Sequence, residues 1–274
     1  KAESLGRYTA LNDEERSNWK TLMDGSVASS EEMIKKYPDS PSLALNLQVL
    51  LKSQRMLLGA EAITAEQVAE YFQAQADAVP QPDAKSKIIF TLAAYVAEQD
   101  KDRALALMNE AYNAETLYSP QDLDFYGLAL LDQQKPDEAL AVFEKIETDY
   151  PVPPGFVPAQ TSPVVQEAQA TALFGKGRIA QSKGQTAEAG KYFEQLKTIY
   201  PWSPKVLEAN FGIAQSLKEQ NKLDEAMVLL GAIIREQNST AKLRANSMLL
   251  YGDILVEKMN AATDPEGKEA FLAS

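Results

Sequence analysis

Residues 172–204, ALFGKGRIAQSKGQTAEAGKYFEQLKTIYPWSP, decide how this chain folds. Gly177 is followed twelve positions on by Ala189, four further by Phe193 and eight beyond that by Pro201. The same cadence runs through Gly127, Ala139, Phe143 and Pro151, and again through Ala214, Ala226 and Leu230, with Asn238 where the proline would fall. A recurrence of about thirty-four residues with small side chains at fixed places predicts antiparallel helix pairs stacked in a row, because one pair is too small to bury its own apolar face.

Anchoring on the small residue and the alanine gives units at 85–118, 120–153, 170–203 and 207–240, with a cut-off unit from Ala245 onwards. The first is weaker, with Leu92 in place of the small residue and Met108 in place of the aromatic. The last has Tyr251 and Gly252 in place, and Asp264-Pro265-Glu266-Gly267 then delays its second helix. Residues 1–80 fit the period badly and are expected to be an N-terminal helical region of degenerate repeats or a cap. One helix is expected around Trp19, Leu22 and Met23, another ending at Met33, Tyr37 and Pro38, a third over Leu43 to Leu58 and a fourth over Val68 to Ala78.

Punctuation agrees with an all-α assignment. Every proline lies at the edge of an apolar-periodic segment, where a residue without an N–H is tolerated. Ser119-Pro120 and Asp264-Pro265 read as a cap followed by proline in the first helical position. Thr64 and Gln67 have the spacing of a capping box. The stretch 151–163 carries five prolines in thirteen residues, so it is expected to be a stiff, extended insert, read as a surface loop in preference to a hinge. Within each pair, Gly127 or Gly177 is expected to face Ala139 or Ala189, with Phe143 and Phe193 filling the seam towards the next pair.

Composition narrows the chemistry. The chain has neither cysteine nor histidine, which removes disulfides, thiolate nucleophiles, imidazole bases and nearly all zinc or copper sites. No metal and no cofactor is expected. A net charge of -12 argues against nucleic acid and anionic lipid; a basic or neutral protein or peptide is the partner it would suit, the other reading being that the acidity serves solubility alone. No apolar run is long enough to span a bilayer. The chain opens at Lys1 without a methionine and is expected to be processed or trimmed.

The cadence resembles the tetratricopeptide repeat, on the strength of Gly127/Ala139/Phe143/Pro151 and Gly177/Ala189/Phe193/Pro201. The unit ends Phe143-x-x-Ile146-x-x-x-Tyr150-Pro151 and Phe193-x-x-Leu196-x-x-x-Tyr200-Pro201-x-Ser203-Pro204 are also similar to repeats of bacterial envelope proteins, namely the barrel-assembly lipoprotein and the Tol-Pal-associated coordinator. Met33-x-x-x-Tyr37-Pro38-x-Ser40-Pro41 echoes them. The resemblance implies an all-α, right-handed superhelical solenoid whose concave face is lined mainly by the first helix of each pair. With the zero cysteine count it places the protein in the periplasm or cell envelope, the cytoplasm being the alternative.

Equivalent outward positions on successive first helices are then Ile89, Asp124, Phe174, Phe211 and Leu249, with Ala93, Leu128, Arg178, Gln215 and Asp253 one turn later. The partner-binding set expected from this register is Phe174, Arg178, Phe211, Gln215, Leu249 and Asp253, an apolar row beside a polar one. The other reading of the same side chains is ordinary packing. No clamp for a C-terminal carboxylate is expected, since the polar row lacks the lysines and asparagines such a clamp uses.

The acidic pairs Asp137-Glu138 and Asp224-Glu225 fall at helix starts, where negative charge complements the helix dipole. The function expected is a non-catalytic interaction scaffold of a bacterial envelope assembly. Two alternatives stand beside it: a carboxylate-dependent polysaccharide hydrolase or lyase on a helical toroid, which needs two desolvated acids facing each other across a deep pocket, and a structural subunit of a larger complex.

Overall fold

A computed structural model describes residues 8–60 and 62–261; among them are twelve α-helices and no strand. The chain divides into two compact units, Lys1–Ala129 and Leu130–Ser274. Residue 80, where the sequence reading divides the chain, lies between two helices of the first unit. The expected cap at Asp264-Pro265 and the delayed helix near Phe271 lie outside the described residues.

The first unit contains α1 (Asp13–Lys36), α2 (Leu43–Gly59), α3 (Ala65–Ala78), α4 (Pro82–Val96) and α5 (Lys101–Ala111), and most of α6 (Pro120–Asp132). Thr64 and Gln67 form the expected capping box: the Thr64 hydroxyl accepts from the Gln67 N–H at 3.2 Å, and the Gln67 carbonyl oxygen accepts from the Thr64 N–H at 2.8 Å. Residues 13–36 form one helix where two were expected. It opens with a second capping box, Asn12 with Glu15, and carries acids in its first turn and Lys35 and Lys36 in its last, complementing the dipole at both ends. Gly25 costs such a helix only about 1 kcal/mol and does not break it.

Leu43, Leu47, Leu50, Val68, Phe72, Ile88 and Leu92 build this unit's core. The connection from α5 to α6 is tied down by Tyr118, which is fully buried. Its hydroxyl accepts from the Asn113 N–H at 2.9 Å and shares a hydrogen bond with Ser86, while its ring lies 4.5 Å from that of Phe90. Burial raises the phenol pKa against the opposing pull of those hydrogen bonds, which keeps the group protonated. Tyr118→Phe is expected to destabilise this unit by about 1–2 kcal/mol in urea denaturation, since it strands buried partners rather than removing packing.

The second unit holds α7 (Pro136–Asp149), α8 (Pro163–Ser182), α9 (Thr186–Ile199), α10 (Val206–Glu219), α11 (Leu223–Arg235) and α12 (Ala241–Ala261). From α7 to α12 each helix packs against the next in chain order, and the first helices α8, α10 and α12 also touch in succession. The predicted units 170–203 and 207–240 are thus the pairs α8/α9 and α10/α11, and 120–153 spans α6/α7.

Backbone geometry repeats with the sequence. Gln134, Gly184 and Asn221, each seven positions after the small residue, all take positive φ, at 58°, 71° and 59°. In each turn the next residue's N–H reaches back to a carbonyl five residues earlier: Lys135 to Leu130 at 2.9 Å, Gln185 to Ala180 at 2.8 Å, and Lys222 to Leu217 at 2.9 Å. This is the helix-terminating motif that satisfies the last carbonyls. The Tyr-Pro tails repeat as well, with Tyr37, Tyr150 and Tyr200 closing their helices at φ -135°, -126° and -126°. The junction after Tyr37 follows the one after Tyr200, since Ser40 and Ser203 both bond back to the tyrosine carbonyl.

The closest contacts at the seam come from Phe193, one turn after buried Ala189 on the same helix: a Cβ on Gly177 would lie 2.4 Å from the ring, and one on Gly212 only 2.3 Å from it. Phe193 is therefore held between the glycine of its own pair and that of the next. Phe143 meets Gly175 in the same way, at 2.2 Å. The expectation that these rings fill the seam towards the next pair holds.

The proline-rich insert is not extended throughout. Phe156 N–H donates to the Pro153 carbonyl at 3.1 Å across a Pro154-Gly155 turn with Gly155 at φ +82°, and Pro158–Gln160 form a 3₁₀ turn. The Gln166 side-chain amide donates to the carbonyls of Ala159 and Thr161, and that of Gln169 to Tyr150, so α8 fastens the loop at both ends.

Candidate functional site

The first helices of the second unit line a cleft of about 540 Å³. Its floor is apolar where helices approach through small residues, with Gly212 on α10 and Leu243 on α12 both buried. Half-buried Phe211 joins them, its inner side packed on the cluster of Ala214, Ala226 and Leu230. Polar groups stand on the same helix faces. The Gln181 amide donates to the Gln215 carbonyl oxygen at 2.8 Å, joining α8 to α10, and Asn246 adds a third amide from α12.

Arg178 is half-buried in this cleft, its guanidinium carbon 5.9 Å from the centre of the Phe174 ring, which also has the Lys205 ammonium 4.9 Å away. That ring holds the guanidinium through its quadrupole while leaving the N–H donors unused. Among the described residues no carboxylate or carbonyl bonds to Arg178. The other charged lining residues, Asp132, Glu208 and Lys242, are exposed at the rim.

The cleft gathers three of the six expected binding residues, Arg178, Phe211 and Gln215. Phe174 is placed elsewhere. It is 1% exposed, packs on Phe193 with ring centres 5.9 Å apart, and serves as the support beneath Arg178 rather than as an anchor for a partner. Leu249 and Asp253 are exposed on α12 outside the cleft, where Leu249 stands near Met248 and Val256 in sequence on an exposed part of that helix. Sequence reasoning missed Gln181, Glu208 and Asn246. Each lies three residues from an expected position, on the same helical face, so reading three steps along the face as well as four would have found them.

Asp132 and Glu208 are the acids of this cleft, and both are exposed rather than desolvated. Among the described residues no group of three or more acidic side chains is arranged to hold a metal ion. No described helix is long and apolar enough to cross a membrane.

Residues 171–201 match the family model of the tetratricopeptide repeat. The match covers most of α8, all of α9 and Pro201, and so includes Phe174, Arg178 and Gln181. It supports the tetratricopeptide family and the coarse class of a protein-interaction scaffold, and gives no support to the narrower likeness to envelope lipoproteins. No curated protein matches the chain.

Proposed function

We propose that this protein is a non-catalytic scaffold that holds a segment of a partner protein in the cleft formed by α8, α10 and α12. The observation that carries this reading is the convergence of Arg178, Phe211 and Gln215, from two successive first helices, around one concavity, with Arg178 inside the stretch that matches the repeat. An apolar floor supplies area, and the amides of Gln181, Gln215 and Asn246 suit the N–H and C=O groups of an extended chain. The net charge of -12 weighs against nucleic acid in the same cleft. Exposure of Asp132 and Glu208 weighs against the hydrolase reading, which needs one acid held protonated by burial.

A photo-crosslinking residue at Gln215 tests this, with one at exposed Lys191 on α9 as control. Protein adducts that form at 215 and are lost in Phe211→Ala are expected. Adducts confined to 191 would move the interaction off the cleft. A setting in the cell envelope is part of the proposal and rests only on the absence of cysteine and the Tyr-Pro tails; fractionation of cells that naturally produce the protein tests it separately.

A further inference from the structure

We propose that the segment held in the cleft presents an aspartate or glutamate side chain to Arg178, with basic residues on either side of it facing Asp132 and Glu208. This rests on the peptide-binding reading above and adds to it the chemistry of the bound segment.

The unused guanidinium carries the inference. Three lysines of this unit have carboxylate partners: Lys176, one half-turn before Arg178 on α8, reaches Glu147 at 2.7 Å, Lys145 reaches Asp149 at 2.8 Å, and Lys183 reaches Asp137 at 2.8 Å. Arg178 has no such partner among the described residues, although the cleft it lines also carries amides, apolar side chains and, exposed at the rim, Asp132 and Glu208. A guanidinium taken partly out of water without an acceptor is costly, and a planar carboxylate matches its fork with two parallel hydrogen bonds. The Phe174 ring below fixes the fork before a ligand arrives, so little side-chain freedom is lost on binding.

The rim decides between anions. Asp132 and Glu208 both line the cleft that contains Arg178, and their charge opposes a dianionic phosphate more strongly than a single carboxylate. The same two acids favour lysine or arginine beside the bound carboxylate, in keeping with the chain's overall negative charge. The lining also runs from the end of α6 through α8 and α10 to the start of α12, so a segment lying along it continues past Arg178 in both directions. That favours an internal side chain over a chain terminus.

A positional-scanning library of N-acetylated, C-amidated peptides, in which side chains carry the only carboxylates, tests this against the full chain. Wild-type protein is expected to select aspartate or glutamate at one position with lysine or arginine flanking it. Arg178→Gln should weaken the best peptide about ten- to a hundredfold and erase the acidic preference, with Arg178→Lys in between. Arg178→Glu should shift the preference at that position to lysine, a change that loss of folding cannot produce. Peptide binding without acidic selection, or equal affinity for Arg178→Gln, overturns the inference while leaving the cleft as a binding site. Binding of no peptide at all overturns both.

Discussion

Replacing Phe193 with alanine is expected to destabilise the second unit by about 3–5 kcal/mol, the upper range for truncation of a buried aromatic. The ring is fully buried, and two of its walls are the backbones at Gly177 and Gly212. Cavities usually shrink when neighbouring side chains lean in, but a glycine has none to lend. The void can close only if α8 and α10 move bodily, and both are fixed by their own partners α7, α9 and α11. Stability in a repeat array is a sum of unit and nearest-neighbour contributions, and Phe193 contributes to both. Urea denaturation followed by circular dichroism should show the loss, and hydrogen exchange should place it in α8 to α10. A change below about 1 kcal/mol would mean the glycine-lined seam is not what joins these pairs.

Much of this arrangement is legible in the residues themselves. The spacing of Gly177, Ala189, Phe193 and Pro201 fixes the two helices and the turn between them, because helical periodicity and proline punctuation are local signals. The third and fourth N-terminal helices were likewise marked, one by its apolar spacing and one by the Thr64 capping box. The fusion of 13–36 into one helix was not, since its apolar stripe is too sparse to show continuity across Gly25. Nor were the left-handed residues Gln134 and Asn221, whose register is plain only once Gly184 is seen to occupy the same place.

The site was half legible for a different reason. Phe174 and Phe211 hold the same position in their helices, yet one is buried and the other lines the cleft. Phe174 lies on the Phe193 ring and is covered by Arg178 and Lys205, whereas Phe211 lies over the cluster containing Leu230. Lys205 reaches it from beyond the second helix of the pair. A spacing rule applied within one helix cannot see such a cover. The row that does face the cleft is set by which side chains are left over when the seam is filled, and so the seam governs the site.

Gly212→Val tests that dependence from the opposite side and is expected to cost about 3 kcal/mol or more through overpacking. Valine is a somewhat better helix former than glycine, so intrinsic propensity alone would favour the change. Any loss must come from contact, because even the first added carbon would stand 2.3 Å from a ring that Gly177 blocks from retreating. Combining Gly212→Val with Phe193→Ala places the added carbons in the vacated volume. The pair should therefore cost less than the two single changes summed, by about 2 kcal/mol or more, whereas separate sites would add. The same pair separates shape from charge in the cleft. Gly212 lines its floor but carries no hydrogen-bonding side chain, so a refilled seam that restores stability should also restore the acidic preference set by Arg178. Recovered stability with the preference still lost would mean that the guanidinium is positioned by the Phe193 ring itself, through Phe174, and not merely by the packed helices around it.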